Sequence, residues 1–233
     1  LLSETSPQTQ LTEQLTLRSD EHAAHRLPAF LASAFLVSVP VFFQAPLVRF
    51  QPWVSLLMTF IWLFGGIYAL RQHTYKLWGD LAIGFSWTWL AGSLYWGWLR
   101  ENPYVHLPVE AIGLPIVIIL ISQTRLKIGS YFYVGSLLGT AITDLYFYWV
   151  NLIPYWRQAM TVEPTEAGNV LQAALLQIEN PIAVARALAL LIALICVGTL
   201  ALKSNQTHWW AFAGAVLSTI LVDALFLLAA ILA

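Results

Sequence analysis

Seven stretches of about twenty mostly apolar residues, set apart by short polar clusters, constrain this chain more than any other feature. A helix rising 1.5 Å per residue needs about 20 residues to cross a hydrocarbon core about 30 Å thick. The stretches fall at 27–47, 53–70, 78–99, 107–122, 128–150, 182–202 and 209–231. Between them lie Arg71-Gln72-His73, Arg100-Glu101-Asn102-Pro103, Gln123-Thr124-Arg125 and Lys203-Ser204-Asn205. Lipid offers no hydrogen bonds to the backbone, so spanning segments of this length satisfy their own as α-helices. The pattern predicts an all-α integral membrane protein, a bundle of about seven transmembrane helices (six to seven). Composition agrees: 59% of the 233 residues are hydrophobic and 10% are charged, too few charges to cover a water-soluble surface.

Residues 1–26 are polar throughout and read as a flexible N-terminal tail rather than a signal peptide, which needs a basic start and an apolar run. The transmembrane domain then occupies 27–233. The fourth stretch is short and holds Pro108 and Pro115, which predict a kinked or re-entrant segment. Only 151–181 is long enough for an extra element, and within it Val170 to Ile178 reads as a short amphipathic surface helix. Lys and Arg set the orientation. Arg18, Arg26, Arg71, Lys76, Arg125, Lys127 and Lys203 gather on the N-terminal side, against Arg49, Arg100 and Arg157 opposite. That bias predicts a cytoplasmic N-terminus and a C-terminus on the other side. Aromatic residues such as Trp53, Trp78, Trp98, Trp149 and Trp209 mark the expected boundaries.

Ionisable residues inside the spans are where function is sought. Glu110, Asp144, Arg186 and Asp223 are the candidates. From the helix rise, Asp144 and Asp223 fall about 6–9 Å below the outer surface and Glu110 and Arg186 about 5–6 Å. A charge facing lipid at such depth costs a few kcal/mol or more, so the four are expected to face inward and pair in one layer. The structural reading is an ionic tie between helices; the functional one is a proton, cation or substrate site in the outer half.

Two segments look alike. Gly135 to Asp144 resembles Gly214 to Asp223, with Gly, Leu, Thr and Asp at the same offsets. Upstream, Glu101-Asn102-Pro103 matches Glu179-Asn180-Pro181. This suggests that spans four–five and six–seven are two copies of one helical hairpin in parallel orientation. Gly135 and Gly139 form a small-xxx-small face suited to close helix packing. Cys196, the only cysteine, sits in an apolar run and is expected to be buried. His73, His106 and His208 stand at helix ends, where interfacial hydrogen bonds are the expected use. His22 and His25 lack the further ligands a metal needs. No metal site or catalytic constellation is found, no cofactor is assigned, and the thin spread of basic residues argues against nucleic acid.

At Arg100-Glu-Asn-Pro-Tyr104, Leu107-Pro-Val-Glu-Ala-Ile-Gly-Leu-Pro115 and Lys127 through Met160, the chain resembles a family of cyanobacterial multi-pass membrane proteins of uncharacterised function. The resemblance implies a cyanobacterial host and a thylakoid or plasma membrane location, and it brings no activity or catalytic residues. The leading functional expectation is an accessory or assembly factor packing against another membrane complex, a photosynthetic one in such a host. The alternative is a small secondary transporter or channel using the buried carboxylates, which predicts a polar cavity between the repeated hairpins. An intramembrane enzyme acting on a lipid, quinone or pigment ranks third, and nothing in the sequence points to one.

Overall fold

The structure is a computed structural model in which residues 24–163 and 166–232 are described. The expected tail, with Arg18 and His22, lies outside the described residues up to position 23, and helix is already present at Ala24. Among the described residues there are helices and no strands. The long helices are α1 (Ala24–Phe50), α2 (Pro52–Arg71), α3 (Lys76–Leu94), α4 (Pro103–Ser122) and α5 (Lys127–Trp149). Two short helices follow, α6 (Ile153–Thr161) and α7 (Ala167–Ile178), and then α8 (Pro181–Leu202) and α9 (Thr207–Leu232). Each apolar stretch read from the sequence thus corresponds to one long helix. Segment 151–181 holds two helices where one was expected, and the extra one is α6.

Five helices, α1, α2, α4, α8 and α9, are long and apolar enough to cross a membrane. Helices α3 and α5 are of similar length but carry more Gly, Ser, Thr, Tyr and Trp, and they occupy the middle of the bundle. Helix α2 packs along α3, α3 along α5, α5 along α9 and α9 along α8. Helix α1 lies over α3 and α9, where Ala29 joins Leu81, Phe85, Phe132 and Ala215 in a common core. In the interior, side chains need close packing and hydrogen-bond partners more than they need hydrophobicity. Trp89 Nε1 of α3 donates to the Ser55 carbonyl of α2 at 2.8 Å, and Gln44 of α1 donates to the Trp89 carbonyl at 2.8 Å.

Several irregularities shape the ends of these helices. Pro40 offers no N–H to the preceding turn, and α1 breaks step at Val39. Helix α3 ends in a π-helical turn, Tyr95–Leu99. Helix α4 is built from a 3-10 turn (Pro103–Val105), one α-helical turn (His106–Glu110), a second 3-10 turn (Ala111–Gly113) and a regular helix (Leu114–Ser122). The irregularity expected of this segment is a 3-10 turn just before Pro115, and Tyr133 of α5 secures it. The Tyr133 hydroxyl donates to the Glu110 carbonyl at 2.6 Å and accepts from the Gly113 N–H at 3.1 Å.

The start of α5 is secured from another helix. Thr124 (φ 56°) and Leu126 (φ 47°) are left-handed in the turn before it, a conformation that costs a non-glycine residue about 1–2 kcal/mol. Leu126 supplies no side-chain cap. Asp80 of α3 supplies one instead, accepting from the N–H groups of Ile128 at 3.0 Å and Gly129 at 2.8 Å. The approach demands glycine on both helices. A Cβ on Gly129 would collide with the Asp80 backbone, and one on Gly84 with the Gly129 backbone.

Candidate functional site

The ionisable residues singled out in the sequence come together in part, and around a residue read there as a helix-end hydrogen bonder. His106, in the single α-helical turn of α4, points its Nδ1 at Asp144 of α5, 2.9 Å and 3.0 Å from the two carboxylate oxygens. Since carboxylate oxygens accept, Nδ1 is the nitrogen that carries the hydrogen. Glu110 follows His106 by four residues, one helical turn, which places its carboxylate on the same face, 3.8 Å from Nε2. Both acids and the imidazole are largely shielded, with side-chain exposures of 10% for His106, 13% for Glu110 and 4% for Asp144.

An aromatic box closes on the imidazole. The π-helical turn of α3 brings Tyr95 to a ring separation of 4.3 Å and Trp96 to 5.8 Å, and α6 adds Trp156 at 5.5 Å. Trp96 and Trp156 stack with planes 5° apart. Trp156 is fixed by donating to the Arg100 carbonyl at 3.1 Å. Single π-helical turns recur at functional sites because they re-aim side chains that a regular helix would turn away. Here that irregularity and the two 3-10 turns of α4 converge on one side chain.

Asp223 extends the group onto α9. Its carboxylate accepts from the Thr143 hydroxyl at 3.0 Å, one residue before Asp144, so the two aspartates lie at one level. Gly135 meets Phe212 and Ala215, and Gly139 meets Thr219. Helices α5 and α9 therefore run parallel in near-equal register, with the two similar segments side by side. The upstream halves also match in detail. Asn102 accepts from the Tyr104 N–H at 3.3 Å and Asn180 from the Ile182 N–H at 2.9 Å, each opening a helix at an Asn-Pro step. The glycines differ in use: Gly135 faces α9, whereas Gly214 faces Phe30 of α1.

Arg186 does not join the acids. Its guanidinium donates to the Trp149 carbonyl at the end of α5, where helix geometry leaves carbonyls without intrahelical partners. Among the described residues the basic side chain within 4.0 Å of Asp144 and Glu110 is His106, so an imidazole stands where a guanidinium was expected. Cys196 is also corrected, because it lies on the exposed face of α8. Among the described residues no three His, Cys, Asp or Glu side chains are placed to hold a metal ion.

Two cavities bear on function. A void of about 10 Å³ lies beside Asp80 and Ser130. A cleft of about 640 Å³ opens between α1, α2 and α3, lined only by apolar and aromatic side chains that include Leu31, Ala32, Phe35, Trp62, Trp78 and Ala82. Leu31, Phe35 and Trp78 are exposed, so the cleft faces outward from the bundle. Neither cavity reaches the His106 group.

Residues 33–231, nearly the whole described chain, match the family described as Protein of unknown function (DUF3120). The chain belongs to the DUF3120 family. No curated protein and no solved structure matches it. The DUF3120 match spans α2 through α8 entire, and so includes His106, Glu110, Asp144 and Asp223.

Proposed function

We propose that this DUF3120 protein is an accessory or assembly factor that packs sideways against another integral membrane complex. The observation that carries this reading is the outward-facing apolar cleft between α1, α2 and α3. Its size lies in the range of ligand-binding clefts. Small residues on its walls, Ala32 and Ala82, give an apolar helix room for close approach. The transporter reading expects a polar cavity between the two hairpins. Asp144 and Asp223 of that region are instead engaged with His106 and Thr143.

The chain on this reading crosses the membrane seven times. The central position of α3 and α5, with apolar helices on both flanks, supports their counting as spans. The Lys and Arg bias supports a cytoplasmic N-terminus. Matching Asn-Pro helix starts and level aspartates support a duplicated hairpin. The resemblance to a cyanobacterial family supports a thylakoid or plasma membrane and a photosynthetic complex as the partner.

Affinity purification of the tagged protein in mild detergent tests the proposal. A co-purifying membrane complex is expected, and Ala82→Trp, which fills the cleft, is expected to release it while the bundle stays folded. Recovery of the wild-type protein alone contradicts the reading.

A further inference from the structure

Proton exchange at the His106 group is a separate matter from what the lateral cleft holds. Among the described residues, the imidazole is hydrogen-bonded through one nitrogen and not through the other. Asp144 engages Nδ1 with both oxygens. Nε2 and the Glu110 carboxylate face each other at 3.8 Å, beyond hydrogen-bond reach, and no hydrogen bond among the described residues engages either group. A carboxylate behind one imidazole nitrogen fixes the tautomer and leaves the other nitrogen to accept a proton. A gap of this length is spanned by a small side-chain rotation or by one water.

We infer that His106, Glu110 and Asp144 form a single proton-exchange site in which Asp144 holds the imidazole while one proton passes between His106 Nε2 and Glu110. The step balances within the site. The Nε2–H bond of an imidazolium breaks and an O–H bond forms on Glu110, so an imidazolium–carboxylate pair becomes a neutral imidazole and a carboxylic acid. Asp144 keeps its hydrogen bond to Nδ1 throughout.

The surroundings suit this role. The titratable groups packed around His106 are Tyr95 from α3, Glu110 on its own helix, and Asp144 and Tyr148 from α5, with Asp223 of α9 behind Asp144. Tyr148 is occupied by donating to the Pro103 carbonyl at 3.3 Å. The nearby arginines are turned elsewhere. Arg100 donates to the Trp96 carbonyl at 3.4 Å, Arg157 lies over the Tyr104 ring, and Arg186 donates to the Trp149 carbonyl. A proton on His106 is thus the positive charge that the acids meet.

The test uses the full chain, labelled with ¹⁵N-histidine, in lipid nanodiscs. The chain has five histidines, and His106→Gln identifies the resonance that disappears. From alkaline to acid pH, His106 is expected to pass from the Nδ1–H tautomer to the doubly protonated form. Glu110→Gln is expected to displace that transition by at least about threefold in proton concentration, and Asp144→Asn to populate the Nε2–H tautomer. Glu110→Ala, which also removes the carboxylate, serves if Glu110→Gln does not fold and is expected to displace the transition by a similar factor. A His106 signal that stays constant across this range overturns the inference, as does a Glu110 variant that displaces the transition by less.

Discussion

The two ends of α5 both meet a buried aspartate and use it in opposite ways. At the start of the helix, Asp80 reaches over from α3 and accepts from the N–H groups of Ile128 and Gly129. At the other end, Asp144 projects from α5 itself and accepts from the imidazole of His106. Backbone amides do not titrate, so the first arrangement is a fixed cap that also matches the positive end of the helix dipole. An imidazole can gain and lose a proton, so the second is where the inferred exchange takes place. The chemistry of a buried carboxylate is thus set by the donor it is given.

The largest effect separating the two ends comes from backbone approach. Gly129→Ala places a methyl group against the Asp80 backbone. It is expected to lower stability by about 3 kcal/mol or more, the level of severe overpacking, as measured by unfolding in mixed micelles. Asp80→Ala removes the cap and leaves two N–H groups unpaired. The expected loss is about 1–3 kcal/mol in the same measurement, with the His106 titration unmoved. If that titration moved as well, the two ends would not be independent. Thr143→Ala, which deletes the bond to Asp223, is expected to cost about 0.5–1.5 kcal/mol. Arg186→Ala should change stability least, by about 1 kcal/mol or less, because it removes one hydrogen bond, to the Trp149 carbonyl, from an exposed side chain. A larger loss there would give Arg186 a place in the charge layer after all.

The helices were legible in the sequence because apolar run length is a direct consequence of bilayer thickness. The interruption of α4 was legible for an equally local reason, since Pro115 has no N–H to donate. Helix α6 was missed because its residues, Ile153-Pro-Tyr-Trp-Arg-Gln, have no apolar run, and it is held by Trp156 reaching Arg100. His106 was undervalued because one histidine at a helix end carries no signal alone. The available cue was its spacing of four from Glu110, which puts both on one face. Asp80 had no local cue, since its partners are backbone groups 48 and 49 residues away. Arg186 was assigned to the acids by depth alone, and depth does not say which way a side chain turns.

A double-mutant cycle between His106 and Asp144 tests the account most directly, with stability measured for His106→Gln, Asp144→Asn and the pair in the same micelles. The two residues hold each other across α4 and α5, so the account predicts a coupling energy of about 1–2 kcal/mol, with the double variant losing less than the two single losses combined. Single losses that add to within about 0.3 kcal/mol would contradict it, because the imidazole and the carboxylate would then be neighbours without being partners.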